Sequence, residues 1–441
     1  MIKNRSLKHS IALGLTLSLT APATVFATNG MFLIGYGNKS RGMGGVGITM
    51  THDTLASAAN PATMAFMKGN QFDIGGDVFK ADAKASLGED GVYLGRVTVE
   101  SKPDHLAITP GIYMMPSIGA SWNKGDLSYG FTMVPVGGGG SRYEPNIYNS
   151  IISGADTSEK MGVSLVVMNI NPTIAYKLDE NNSVGATLVI GLQVFKSYGL
   201  SYFQTFTESD SPDRLTDQGT DISYGAGVRL GWMGNFMNDK LSLGAAYTSQ
   251  TYMSEFEDYS ELFAEQGKLN TPGNIGIGAS YKFKDDLTVA LDINYVMYED
   301  IAAISNPGPG QGAGGALYVT GPEANQLGFD EGLGFGWENQ TVYKLGVSYV
   351  YDTSWTVRGG WNYGKSPIHS DTDILFSMVA PATTEHHLTL GASYQFNEDI
   401  EFNFSYGHAF ENTQHGPTYI GGSGEISMST DALGASMSMK F

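Results

Sequence analysis

The sequence predicts an all-β protein, a 14-stranded antiparallel transmembrane β-barrel with an N-terminal hatch (plug) inside the lumen. Three observations carry this. Fourteen runs of apolar/polar alternation follow residue 70, their connections alternate between short and long, and a glycine-rich segment that does not read as a strand precedes them.

The first element is a targeting segment. Lys3, Arg5 and Lys8 form a basic region, residues 11–19 form an apolar run too short to span a bilayer as a helix, and Val25-Phe26-Ala27 offers small residues for cleavage. We expect residues 1–27 to be a signal peptide and the mature chain to begin at Thr28. Cleavage would remove three of the 25 Lys and Arg residues and none of the 44 acids, leaving 22 − 44 = −22. That balance excludes a nucleic-acid binder, which needs a basic footprint. Zero cysteines exclude disulfides, thiolate metal sites and a cysteine nucleophile.

The second element, residues 28–69, is the expected hatch. It carries Gly30, Gly35, Gly37, Gly42, Gly44, Gly45 and Gly47 and closes with Asn60-Pro61-Ala62. A compact segment ahead of a barrel points to a plugged pore. Gly42 to Gly47 matches G-x-G-x-x-G, but no preceding strand, following helix or downstream acid supports a dinucleotide site. Packed, flexible backbone accounts for the glycines.

The third element, residues 70–441, is the barrel. No segment has the roughly 20 apolar residues of a membrane helix, which leaves the closed barrel as the permitted crossing. Leu287, Val289, Leu291, Ile293, Tyr295 and Met297 share one parity, and Thr288, Ala290, Asp292 and Asn294 the other. Such runs place one residue set on each face. They cover 70–85, 105–122, 127–140, 162–178, 183–200, 219–235, 240–253, 269–283, 287–301, 341–352, 355–364, 384–396, 400–412 and 426–441. Turns such as Asn123-Lys124-Gly125-Asp126 and Asn397-Glu398-Asp399 make the short connections, and the others are long. A soluble sandwich has shorter strands, of about five or six residues. Aromatics such as Tyr349, Trp355 and Trp361 suit interfacial girdles.

Gly137, Gly138, Gly139 and Gly140 end the third run just after Pro135. Four glycines are expected to break the pairing locally, either as a loop that begins early or as a kink that opens the wall. His386 and His387 face opposite sides of a strand and cannot chelate together, and no G-x-S-x-G elbow is present. No catalytic residue, metal site or cofactor is expected.

In its Asn29-Gly30-Met31-Phe32 start, Gly-rich run, Asn60-Pro61-Ala62, Leu269-Asn270-Thr271-Pro272 and residues 351–358, the chain resembles the FadL-type family of outer-membrane transporters for long-chain fatty acids and other hydrophobic molecules. The resemblance covers essentially the whole mature chain. It implies a monomeric barrel in the outer membrane of a Gram-negative bacterium, a hatch anchored at Asn60, Pro61 and Ala62, and a lateral opening at Gly137–Gly140. It also implies a ligand site near Met31, Phe32 and Leu33. There is one departure. Fatty-acid transporters of the family hold the carboxylate with basic side chains, one of them beyond the ninth strand, yet residues 285–343 contain no Lys or Arg. A carboxylate left unpaired in an apolar lumen is costly, so neutral hydrocarbons or aromatics become candidates.

The expected function is passive, hatch-gated uptake of a hydrophobic small molecule with lateral exit through the kinked third strand. The alternatives are a general aqueous porin and a non-transport barrel, either a loop-based receptor or adhesin or a lipid-modifying enzyme. Expected partners are the ligand, outer-membrane lipid and lipopolysaccharide, and the barrel assembly machinery, through a C-terminal strand ending in Phe441.

Overall fold

The computed structural model describes residues 29–87, 97–100, 113–150, 158–207, 213–308, 326–369, 374–418 and 422–441. The expected signal peptide lies outside them. Fourteen strands form the wall: β1 (Gln71–Leu87), β2 (Tyr113–Lys124), β3 (Leu127–Tyr143), β4 (Met161–Lys177), β5 (Asn182–Tyr198), β6 (Asp221–Phe236) and β7 (Leu241–Thr248). They continue with β8 (Asn274–Lys284), β9 (Leu287–Val296), β10 (Gln340–Val350), β11 (Trp355–Gly364), β12 (His386–Gln395), β13 (Ile400–Pro417) and β14 (Ser423–Lys440). Each pairs antiparallel with its sequence neighbour, and β14 closes the barrel on β1 from Lys440 opposite Gln71 to Gly424 opposite Leu87. Two short pieces, Val97–Glu100 on β1 and Tyr252–Met253 on β6, add to the sheet.

Alternation places the residues as the physics of a barrel requires. Leu188, Ile190, Leu388, Leu390 and Leu433 point outward and are exposed, while Thr187, Asn171, Thr389 and Asn403 point inward and are buried. The outer set meets lipid, and the inner set meets the hatch.

Boundaries differ from the sequence reading where local geometry intervenes. The third strand continues through Ser141, Arg142 and Tyr143, past the glycines. Residues 105–112 of the expected second strand lie outside the described residues. The seventh strand stops at Thr248, and the ninth gives way after Val296 to a turn and the short helix α2 (Ala302–Ser305) that folds inward. The thirteenth runs on to Pro417 through an irregular register between Ala409 and Asn412, a device that bends a strand without ending it.

Residues 29–67 fill the lumen. They form the short helix α1 (Asn38–Arg41) and two 3₁₀ turns, Thr54–Ala58 and Pro61–Phe66. α1 packs on β1, β12, β13 and β14, whereas the second 3₁₀ turn packs on β3, β4, β5 and β6. The segment therefore reaches both sides of the barrel. Its glycines allow close chain approach: at Gly45, with φ +82°, a Cβ would fall on the carbonyl of Ile34.

Candidate functional site: an apolar cavity beside a gap in the wall

Among the described residues the wall is incomplete at β3. Its pairing with β4 persists to Tyr143, through a bulge between Pro135 and Gly137, so the expected local break does not occur on that side. On the other side β2 pairs with β3 only as far as Ile118 opposite Met133. Among the described residues, positions 134–143 of β3 have no partner in β2.

The hatch takes up the freed edge. Phe32 bridges Gly137; the N–H of Leu33 donates to Val136 O at 3.0 Å, and the N–H of Gly138 donates to Met31 O at 2.9 Å. A side chain on Gly137 would collide with the Met31 carbonyl, which is why this position tolerates only glycine in the latched state. Across the lumen Tyr298 fixes the same segment: its hydroxyl donates to Asn29 O at 2.6 Å and accepts from the Met31 N–H at 2.9 Å. Burial pushes the Tyr298 phenol well above its ordinary pKa, so it stays protonated and able to donate. Residues 29–33 thus form a floor strapped at both ends.

Above this floor lies a cavity of about 750 Å³. Met31, Gly138 and Gly139 meet there with Leu165 of β4 and Phe195 of β5, and the roof comes from the long loops through Phe263, Ile304, Trp337 and Phe376. Aromatic contacts stiffen it. Phe195 meets Phe263 edge-on at 4.8 Å, and Phe335 stacks on Phe376 at 4.8 Å. No charged side chain lines the cavity among the described residues. A smaller space of about 240 Å³ adjoins it, sharing Gly138, Gly139, Trp337 and Ala380 and reaching Met428. Met428 belongs to an apolar cluster with Leu33, Phe79 of β1 and Met115 of β2. Apolar surface therefore runs from the cavity to the strands that flank the gap.

The three residues named from sequence as a ligand site are separated by chain alternation. Met31 faces the apolar cavity, Phe32 a lower chamber, and Leu33 both that chamber and the β1–β2 cluster. The residues around Asn60 are brought together as one joint. The Asn60 carboxamide accepts from the Ala62 N–H at 3.0 Å, capping the turn that Pro61 begins, and donates to Ile48 O at 2.8 Å and Trp232 O at 3.0 Å. One side chain so caps the hatch, folds it on itself and ties it to β6.

Sequence reading missed the other anchors. Arg41 ion-pairs with Asp77 of β1, Lys39 meets Glu401 of β13 at 2.5 Å, and Asp292 of β9 accepts the N–H groups of Gly47 and Ile48 at 2.7 and 3.1 Å. Asp73 of β1 accepts from the backbone and hydroxyl of Thr54 at 2.9 and 2.6 Å. The signal was present, because Asp73, Asp77 and Asp292 lie on the polar parity of their strands. The roof residues had no such signal, since the long loops carry no periodicity.

A family model described as outer membrane protein transport protein (OMPP1/FadL/TodX) matches residues 14–438. Among solved structures, the toluene transporter TodX of P. putida superposes with a TM-score of 0.66 at 19% identity, over 92% of this chain and 99% of that one. The toluene transporter TbuX of Ralstonia pickettii gives 0.65 at 21%, over 92% and 99%, and a FadL homologue of Pseudomonas aeruginosa gives 0.66 at 15%, over 93% and 100%. At these identities the likeness concerns the fold. A Chlorobium limicola protein, uncharacterized and encoded 5′ of a phosphoenolpyruvate carboxykinase gene, is 41% identical over 76 residues; the match spans 17% of this chain and 37% of that relative's length.

Proposed function

The chain belongs to the outer-membrane transport protein family OMPP1/FadL/TodX, and from that premise we propose that it admits neutral hydrophobic molecules, single-ring aromatics or hydrocarbons, by passive diffusion through the cavity above residues 29–33. The observation that carries this reading is the cavity wall, apolar throughout and free of charged side chains among the described residues. The stretch after β9, which lacks Lys and Arg, contributes Ala303 and Ile304 to that wall. Two structural neighbours, TodX and TbuX, are toluene transporters, which is in keeping with it.

The energetics suit a channel. Burying about 150–250 Å² of an aromatic ring at about 25 cal/mol per Å² yields about 4–6 kcal/mol before the cost of association, a millimolar affinity at best. Such a site captures its ligand and does not retain it.

In this reading residues 28–69 are the hatch, anchored at Asn60, Pro61 and Ala62, and the exit is lateral. A ligand leaving the cavity passes Gly138–Gly140 toward the gap between β2 and β3, where residues 31–33 occupy the free edge of β3 and must yield. Met31 contacts the ligand from below, while Phe32 and Leu33 transmit its arrival to the latch. Nothing in the route calls for an energy source.

The test is uptake of radiolabelled toluene by proteoliposomes, paired with single-channel conductance of the same protein. Saturable toluene entry with little ion conductance supports the reading. Open, porin-like conductance with no preference for toluene over a sugar of similar size refutes it.

A further inference from the structure

At the end of the wall that carries the long loops, three cations gather on the lipid-facing side of β3, β4 and β5. Val163 and Leu165 of β4 line the apolar cavity, so the alternate positions Gly162 and Ser164 point outward. Arg142 of β3 lies opposite Gly162, and Gly162 lies opposite Tyr198 of β5. The flanking residues of β3 turn inward, as alternation requires. Ser141 Oγ donates to Val379 O at 2.8 Å, and Tyr143 is buried in the core.

Gly162 leaves a notch between the Arg142 and Tyr198 side chains, and a Cβ there would collide with the Ser141 carbonyl. The Tyr198 hydroxyl donates to that same carbonyl at 2.9 Å, which fixes its ring beside the notch. Two ammonium groups lie on this ring. Nζ of Lys160, the residue before β4, is 5.0 Å from the ring centroid, and Nζ of Lys196 on β5 is 5.8 Å from it. Both are within cation–π range. Arg142 is held at the rim by Glu144, Nη2 to Oε2 at 3.4 Å.

Like charges gathered at one place repel, and an anion between them relieves the repulsion. The cluster also runs against the balance of the chain, whose acids outnumber its Lys and Arg residues 44 to 25. Each ammonium carries three donors, so a lysine that lies on a ring and meets one partner keeps donors for a phosphate. A phosphate monoester carries about −1.5 to −2 charges at pH 7, which suits two ammonium groups better than the single charge of a carboxylate. Toward the membrane centre the same outward face is apolar, with Leu188 and Ile190 of β5 and Ile174 of β4 exposed. Cations bordering lipid-facing apolar rows match an anionic head carried on acyl chains.

We propose that Lys160 and Lys196 form a docking site for the phosphorylated head of an outer-leaflet lipid, whose chains lie along β4 and β5. Tyr198 sets the spacing of the two ammonium groups. The site is on the outer surface of the barrel, apart from the lumen, so it goes beyond transport and does not depend on it.

The experiment is native mass spectrometry of the full chain in detergent, titrated with diphosphoryl lipid A and with the same lipid stripped of its phosphates. The wild type is compared with Lys160→Gln/Lys196→Gln, with Lys160→Arg/Lys196→Arg, and with Lys240→Gln/Lys282→Gln at the short-turn end of the wall. Each is checked for a folded barrel by heat-modifiable mobility. The wild type and Lys240→Gln/Lys282→Gln should hold diphosphoryl lipid A about tenfold or more tightly than Lys160→Gln/Lys196→Gln. The arginine pair should recover most of the loss, and the stripped lipid should bind all four alike. Excess inorganic phosphate should leave the lipid in place, because it lacks acyl chains. Equal retention of diphosphoryl lipid A by the wild type and Lys160→Gln/Lys196→Gln overturns the proposal. An equal loss in Lys240→Gln/Lys282→Gln overturns it too, since the effect would then be one of overall charge. Displacement by inorganic phosphate would mark a site for a free anion and overturn the lipid assignment.

Discussion

Replacing Gly137 with alanine should release the floor of the cavity. The added methyl falls on the Met31 carbonyl, and that carbonyl accepts one of the two hydrogen bonds joining the hatch to β3. The other, from Leu33 to Val136, lies one residue further along the same bridge. At about 0.5–1.5 kcal/mol net for each bond, losing both costs about 1–3 kcal/mol, a shift of about 5- to 150-fold in the ratio of latched to released floor. Tyr298 still holds Asn29 and Met31, so the segment should swing and not unfold. Amide hydrogen exchange reads this directly: the Leu33 and Gly138 amides should exchange faster by that factor, and toluene should enter faster because the gap is less occupied. Adding Tyr298→Phe should compound the effect. If both amides exchange in Gly137→Ala as in the wild type, the latch is not held by these bonds and the reasoning fails.

Further outcomes follow from the same geometry. Ile304→Lys sets a cation in the cavity wall and should shift preference from toluene toward a fatty acid, measured by competition uptake; unchanged selectivity would show that Ile304 does not face the ligand. Arg41→Ala leaves Asp77 buried without its partner, a loss of about 3–5 kcal/mol in a typical buried pair, and should raise ion conductance and proteolysis of residues 36–50 while the barrel itself still resists heat. Burial, reinforced by the Asp73 carboxylate, pushes Asp53 up to about 7. The folded hatch therefore prefers the protonated acid. Its contribution is complete below the ordinary carboxylate pKa and is lost as pH rises through about 7. Protection at residues 53–59, with the intrinsic pH dependence of exchange divided out, should fall from pH 6 to 8 in the wild type and stay constant across that range in Asp53→Asn.

Much of the wall was legible because a barrel strand has a period of two and one lipid-facing side. Parity set Leu291 and Tyr295 on one face and Asp292 and Asn294 on the other, and the structure, not parity, shows Leu291 and Tyr295 exposed and Asp292 buried. The hatch was legible as glycine-rich backbone, and Asn60-Pro61-Ala62 as its turn, since those signals are local; that Asn60 caps the turn came from the structure. The latch was not. Met31, Phe32 and Leu33 pair with a strand more than a hundred residues away, and nothing local marks a residue as the substitute partner of an unpaired edge. Gly137–Gly140 lie where the two edges of β3 behave differently. Pairing survives toward β4 because a bulge absorbs the irregularity, and among the described residues it ends toward β2 after Met133, where the hatch bridges the edge at Gly137. Tyr298, Phe263 and Trp337 lie outside the regular strands, where no periodicity reports which side chain turns inward.

The central claim is that a hydrophobic molecule leaves the cavity sideways, past the glycines of β3. Gly139 offers the cleanest test, because it lines both the main cavity and the adjoining space and a Cβ built on it meets no atom within 4 Å. Gly139→Phe therefore fills the passage without disturbing the backbone. The measurement is the initial rate of toluene entry into proteoliposomes carrying Gly139→Phe or wild type at equal amounts of folded barrel. The account predicts a fall of about tenfold or more, a barrier increase of about 1.4 kcal/mol. Entry at the wild-type rate, with the phenylalanine ring in the passage, would contradict it.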